Sequence, residues 1–196
     1  MPNKIVLENE LFYCIHIADT EEIKQQLRHF TVKKKTGNGL VNYLQNYALV
    51  DEENGEMRTY LVKDTDSHEI VGYFSLKAGM VSVNEKRTLF RREFDCVPGI
   101  ELANFAVNNS YKEAHKEFDG LGKIIFVYFI LAIVKKVSMQ IGVKTLFIFA
   151  LPHSSLINYY KSLHFQRLSA VEEKSIHRRI KPRYDQRCIF MCQSIM

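Results

Sequence analysis

At 196 residues, 46% of them hydrophobic and 25% charged, the chain can bury the core of one globular domain and is too balanced for a disordered or fibrous protein. A net charge of +5 permits an anionic partner without demanding one, and the clusters Lys33-Lys34-Lys35 and His177 to Arg183 that hold much of it read as solvated loops. Its four cysteines form no Cys-x-x-Cys pair and have no histidine at metal spacing, so no zinc or other metal site follows; without a signal-peptide pattern they are expected as free thiols in the cytoplasm.

In chain order, Leu11 to Ile17 reads as a strand, and Asp19-Thr20-Glu21-Glu22 opens a helix through Phe30 with acidic residues in its first turn. A second helix starts near Gly39, with Leu40, Tyr43, Leu44 and Tyr47 on one face. Asn54-Gly55 turns into a strand from Met57 to Val62, and Asp64 to His68 turns into another from Glu69 to Leu76, which together predict an antiparallel hairpin. Met80 to Gly99, charged throughout and closed by Pro98-Gly99, reads as a long loop with a short helical piece around Glu85 to Phe94.

Ile100 to Val107 is a buried-looking strand, followed by a polar loop from Asn108 to Asp119, then Gly120-Leu121-Gly122-Lys123 and a long apolar helix to Val137. The most apolar window of that helix, Ile124 to Val134, is followed at once by Lys135-Lys136 and is too short to cross a bilayer. Lys144 to Ala150 is a β-rich run expected beside the Ile100 strand in parallel. Ser154-Ser155 can cap a helix to Leu163, Phe165 to Leu168 can form a strand, and Arg187 to Gln193 a last one. The whole, residues 1–196, is expected as a single domain.

The run from Ile100 to Val137 carries the chemistry. A strand feeding a glycine turn at a helix start leaves backbone N–H groups unpaired at the positive end of the helix dipole, a setting that suits a phosphate. Gly120 and Gly122 can adopt positive φ and let a ligand approach, while Lys123 adds a mobile cation. The spacing is neither that of a P-loop nor that of a dinucleotide fingerprint. Glycines serving only the fold would look the same.

Three pieces, in order, resemble the GNAT N-acetyltransferases. Leu102-Ala103-Asn104-Phe105-Ala106-Val107 with Gly120-Leu121-Gly122 is similar to the family's fourth strand and pyrophosphate loop. Tyr160-Lys161-Ser162-Leu163-His164-Phe165 resembles the Tyr-Glu-Lys-x-Gly-Phe signature after strand five, and Ile70-Val71-Gly72-Tyr73-Phe74-Ser75-Leu76 resembles the hairpin strand. The resemblance spans nearly the whole chain. It implies a mixed α/β (α+β) fold with a central sheet of six to seven strands, strands four and five parallel and splayed, and about four flanking helices. It also implies acetyl-CoA as cofactor and transfer of its acetyl group to an amine.

By that resemblance, backbone groups of Phe105, Ala106 and Val107 pair with the pantetheine arm. The N–H groups of Gly120, Leu121, Gly122 and Lys123 hold the pyrophosphate, and His153 stands where a cofactor-contacting asparagine is common. Tyr160 occupies the position of the acid that protonates the departing thiolate, although a tyrosine merely packing on strand four would read alike. Glu101 stands where some members carry a general base, with a water-facing strand-edge glutamate as the alternative. Two positions depart from the pattern: Glu117 replaces the usual Gln or Arg three residues before the first loop glycine, and His164 replaces the signature glycine. His115, Lys116 and Lys123 are the cations that could compensate for Glu117.

The hairpin strand through Gly79-Met80-Val81 and the helix from Leu40 to Ala48 resemble one subgroup, the acetyltransferase toxins of toxin–antitoxin pairs, which acetylate aminoacyl-tRNA. Implied partners are then an amine acceptor, whether small molecule, protein or aminoacyl-tRNA, together with an antitoxin and a second copy of the chain, and no membrane. Two other readings stand beside it. One is a GNAT fold that binds coenzyme A or a partner without turnover, and the other is an RNA-binding module resting on the Lys33 and Arg178 clusters.

Overall fold

A computed structural model describes residues 5–18, 20–87, 92–180 and 187–195. They fall into two compact units, Met1–Lys77 with Ala103–Ile133, and Ala78–Leu102 with Val134–Met196.

The first unit begins with β1 (Ile5–Glu8) and β2 (Phe12–His16), then α1 (Glu21–Arg28), a 3-10 turn (Lys35–Gly37), α2 (Asn38–Asn46) and α3 (Ala48–Glu53). β3 (Arg58–Asp64) follows, and β4 (Ile70–Arg87) and β5 (Arg92–Val107) each run through both units; strand order within the first unit is β1-β2-β3-β4-β5. Every β3 residue but Arg58 is buried, so both faces of this sheet are covered. On one face Ile23 and Leu27 of α1 and Tyr43 and Leu44 of α2 pack on Ile15, Leu61, Tyr73 and Ala106. The acidic first turn of α1 is capped by Thr20, whose hydroxyl accepts from the Ile23 N–H at 3.2 Å. After β5 come α4 (Asn109–Ala114) and a continuous helical run of α5 (Leu121–Ile125), a π-helical turn (Phe126–Ile130) and α6 (Leu131–Ser138).

In the second unit the strand order is β4-β5-β6-β8-β7, with β6 (Thr145–Ala150), α7 (Ser154–Ser162), β7 (Gln166–Arg167), α8 (Ala170–Arg179) and β8 (Ile189–Ser194). β5 and β6 are parallel, as expected, while β8 pairs with β6 and β7 antiparallel. Val81, Phe147, Ile176 and Phe190 form its core, with the Phe147 and Phe190 rings stacked at 5.7 Å. Ser169 and Glu172 close a reciprocal capping box at the start of α8.

The sheet has eight strands among the described residues against the six to seven expected; β1 is the strand the sequence reading lacked, while β7 falls within the expected Phe165 to Leu168 strand. Met80 to Arg87 and Arg92 to Gly99, expected as loop, are strand, because β4 continues to Arg87 and β5 starts at Arg92; residues 88–91, at the centre of the helical piece expected around Glu85 to Phe94, lie outside the described residues. Apolar alternation reports burial of a face and not strand pairing, so a charged ribbon hides its strands from that signal. The second basic cluster is corrected as well: His177 to Arg179 end α8 and complement its dipole, while Lys181 to Arg183 lie outside the described residues. No helix among the described residues is long and apolar enough to cross a membrane.

Candidate functional site

Along the end of β5, Leu102, Asn104 and Ala106 are buried while Glu101, Ala103, Phe105 and Val107 are half-buried, the period-two pattern of a strand with one accessible face. The parallel pairing with β6 covers Gly99 with Thr145, Ile100 with Leu146 and Glu101 with Phe147. Within the second unit this pairing ends at Glu101 and Phe147. The Asn108 N–H bonds Val71 of β4 and the Ala106 carbonyl lies against Gly72, so Ala106 serves the β4 side and the backbone groups of Phe105 and Val107 are those on the opposite edge, able to receive an added extended chain.

The turn into α5 follows the sequence expectation closely. Gly120 has φ +71, the left-handed region that disfavours side chains, and an added Cβ would meet nothing within 4 Å, so the space above the turn is open. Its carbonyl accepts from the N–H groups of Lys123 and Ile124 at 2.8 and 3.1 Å. Its own N–H is taken by the Asp119 carboxylate at 3.0 Å. The N–H groups of Leu121 and Gly122 have no hydrogen-bond partner among the described residues, leaving two donors for an anion at the start of an eighteen-residue helical run. Lys123 is exposed beside them.

Gly72 of β4 holds turn and strand together. A Cβ there would lie 2.6 Å from Ile125 Cδ1 and 2.8 Å from the Ala106 carbonyl, so only glycine lets α5 and the end of β5 approach β4 this closely.

The stretch from Asn108 to Asp119, expected as a polar loop, instead contains α4 and is anchored along its length. The Asn108 amide accepts from the Thr31 and Ser110 N–H groups, each at 3.2 Å, and donates to the Ile70 carbonyl at 2.8 Å. Tyr111 donates a 2.5 Å hydrogen bond to Asp64. Burial would raise the Asp64 carboxyl, but this bond and the Ser67 and Asp66 N–H groups outweigh it and hold the carboxyl below its ordinary value. His115 stacks on Tyr111 at 4.2 Å, and Phe118 meets Phe12 edge-on at 5.4 Å.

Of the cations considered as compensation for Glu117, His115 is already engaged: its Nδ1 lies 3.2 Å from Glu117 and its Nε2 3.4 Å from Glu69. Lys116 is exposed. Sequence reading missed Asn108 and Tyr111, of which only Asn108 carried a local signal, an asparagine at the start of a helix, and it named Gly72 as part of the hairpin-strand signature without its packing role.

In the second unit, Tyr160 of α7 is 8% exposed, and its hydroxyl makes no hydrogen bond among the described residues. Burial, with a smaller contribution from Tyr159, pushes its phenol up and keeps it protonated near neutrality. Burial pushes the Tyr159 phenol up to about 12, and its buried hydroxyl has no partner among the described residues.

α7 ends in a Schellman motif: the Phe165 N–H reaches the Tyr160 carbonyl at 3.0 Å and the His164 N–H that of Lys161 at 3.0 Å, with the Phe165 ring 5.5 Å from that of Tyr160. His164 takes φ 68 there, so it keeps the conformation for which the signature uses glycine. His153, and not Ser154 or Ser155, is the N-cap of α7; it is exposed, and its side chain makes no capping bond. Glu101 is half-buried on β5 opposite Phe147. The first unit thus brings Phe105 to Val107 together with Gly120 to Lys123, and the second carries Glu101, His153 and Tyr160.

No family model matches the chain, and no curated protein matches it. Solved structures do. A Tyr-to-Phe variant of the toxin AtaT is similar with a TM-score of 0.66 at 15% identity, covering 100% of this chain and 96% of that one. The same variant bound to the C-terminus of the antitoxin AtaR and acetyl-CoA gives 0.61 at 16% identity over 94% and 93% of the two chains. A Tyr-to-Phe variant of KacT gives 0.66 at 14% identity over 95% and 96%. The chain has the GNAT fold of these proteins, with its parallel β5–β6 pair and mixed sheet.

Proposed function

We propose that the chain is an N-acetyltransferase that moves the acetyl group of acetyl-CoA to a primary amine by direct attack in a ternary complex, and that its acceptor class is aminoacyl-tRNA. The observation that carries the reading is the end of β5–β6 pairing at Glu101 and Phe147, which frees the edge of β5 that an extended pantetheine arm would occupy. The unpaired N–H groups of Leu121 and Gly122 beneath an open glycine turn fit a diphosphate. The sequence resemblance to acetyltransferase toxins and the full-length fold match to toxins, one of them bound to acetyl-CoA and an antitoxin, support the acceptor class and an antitoxin as a partner.

When bound, acetyl-CoA supplies an activated acyl carbon and a thiolate leaving group. Phe105 and Val107 would hold the arm through backbone hydrogen bonds, with the Val107 N–H available to stabilise negative charge on the acyl oxygen. Tyr160, held protonated by burial, would supply the proton that a departing thiolate takes up. Glu101, or water beside it, takes the proton that the attacking ammonium must lose. His153 contacts the cofactor from the exposed start of α7.

Calorimetric titration with acetyl-CoA is the first test. Saturable binding lost in Gly120→Val supports the cofactor reading, because that residue must hold positive φ. No saturable binding by the wild-type protein sinks it. Tyr160→Phe should lower kcat about 100-fold with little change in acetyl-CoA affinity, within the range for a general acid. Unchanged turnover would remove Tyr160 from the acid role, and no turnover by wild type on any amine would leave the non-catalytic reading. Expression in a bacterial host should arrest growth, and Tyr160→Phe should relieve the arrest.

A further inference from the structure

Glu117 is a liability under the cofactor reading. It stands three residues before Gly120, where relatives place a donor, and its carboxylate is held below the ordinary range first by its own backbone N–H and then by His115, so it stays ionised near neutrality. An unmasked carboxylate at this point would oppose a diphosphate on the N–H groups of Leu121 and Gly122.

The surroundings of Glu117 answer this. His115 places Nδ1 3.2 Å from Glu117 and Nε2 3.4 Å from Glu69, the last residue of the turn before β4. With both ring nitrogens facing carboxylates, the imidazolium satisfies both, whereas a neutral ring has a donor for only one. The ring cannot swing freely. It stacks on Tyr111 at 4.2 Å and lies 6.2 Å from Phe118, and Tyr111 is tied by its hydroxyl to Asp64. Partial burial alone would lower the His115 pKa, but the hydrogen bonds and charges of Glu117 and Glu69 outweigh that and raise it. The titratable groups facing the ring are thus Glu117 on its own segment, Glu69 from the turn before β4 and Tyr111 from α4, with Asp64 behind Tyr111.

We propose that His115 is a positioning residue of the diphosphate turn: its imidazolium neutralises Glu117 and ties the segment leading to Gly120 to Glu69, so that a carboxylate standing in the donor's place does not repel the bound diphosphate. The inference rests on the acetyl-CoA reading. In this arrangement the phosphate donors are the N–H groups of Leu121 and Gly122 with Lys123, the Asp119 carboxylate is occupied by the Gly120 N–H at 3.0 Å, and the 115–117 pair supplies shape and neutrality instead of a contact.

The test is the acetyl-CoA dissociation constant of the wild type, His115→Gln, Glu117→Gln and the double variant, by calorimetry at fixed ionic strength and at pH 6 and pH 8.5. His115→Gln should weaken binding about three- to fivefold, the size of a partly exposed charge interaction. Glu117→Gln should bind at least as tightly as wild type, and the double variant should match Glu117→Gln, since removing the carboxylate removes the need for its neutraliser.

Sign follows from the raised pKa: the imidazolium's contribution is present below that value and lost as pH rises through it. Wild-type affinity should therefore fall between pH 6 and 8.5 more than that of the double variant. Additive losses in the double variant, or the same pH dependence in both, would overturn the proposal while leaving the cofactor reading intact. Absence of wild-type binding would overturn both. NMR titration of His115 without cofactor gives an independent readout: its pKa should fall in Glu117→Gln and in Glu69→Gln, and no fall in either would also overturn the proposal.

Discussion

His164 shows how a departure from a sequence signature can leave a structure unchanged and still leave a measurable cost. A histidine at φ 68 is strained by its Cβ, yet the Schellman hydrogen bonds from His164 and Phe165 close the end of α7 as a glycine would. His164→Gly relieves that strain while giving the unfolded chain more freedom, so a net stabilisation of about 0.5–1 kcal/mol is expected by urea unfolding. Turnover should not change, because Tyr160 keeps its backbone bonds. Asn108 is the opposite case: Asn108→Ala strands the Thr31 N–H and the Ile70 carbonyl, both served by one buried amide, and should cost about 2–3 kcal/mol in the same measurement. The sequence made Gly120, Phe105 to Val107 and Tyr160 legible, because a positive-φ glycine and a signature leave local traces. The partners of Asn108 and His115 were not legible, since Thr31, Ile70 and Glu69 come from distant segments and no local pattern records such pairings.

At the scale of elements, most strands and helices with a strong apolar period were readable, but α8 was missed despite its Ser169–Glu172 capping box, because a single buried residue, Ile176, leaves it almost no apolar period. β2, β3, β6, α1, α2, α7 and the central helical run appear where apolar period and caps put them. The extension of β4 and β5 between Ala78 and Leu102 does not, because backbone pairing needs no apolar alternation on a charged ribbon. Gly72 makes the packing of α5 on the sheet testable. In Gly72→Val the added Cβ meets the Ala106 carbonyl at 2.8 Å, a backbone atom that cannot rotate away, as well as Ile125 Cδ1. Overpacking of this kind costs about 1–3 kcal/mol, to be read in thermal unfolding, and displaces the first turn of α5. Acetyl-CoA affinity should therefore fall along with stability, whereas a stabilising His164→Gly background should recover part of the melting temperature without recovering affinity. Recovery of both would show that Gly72 acts on stability alone.

Charge is the property that separates the acceptor classes at the scale of the whole molecule. An excess of 27 Lys and Arg over 22 Asp and Glu gives +5, modest for a protein meant to hold a nucleic acid by field alone, so phosphate contacts must come from local clusters. Lys33, Lys34 and Lys35 are exposed at the 3-10 turn before α2, in the first unit with the diphosphate turn. If the acceptor is a tRNA-linked amine, kcat/KM for aminoacyl-tRNA should fall steeply with potassium chloride, with a log–log slope of roughly −0.7 to −0.9 per phosphate contacted. A small free amine carries no counterion atmosphere to release, so its kcat/KM should stay nearly level over the same range and serve as the control for salt effects on acetyl-CoA binding. Replacing Lys33, Lys34 and Lys35 together by glutamine should flatten the tRNA slope by about 2 units if all three meet phosphates, and leave the small-amine rate untouched. A tRNA slope no steeper than that of the small amine would remove aminoacyl-tRNA as the acceptor and return the choice to protein or metabolite amines.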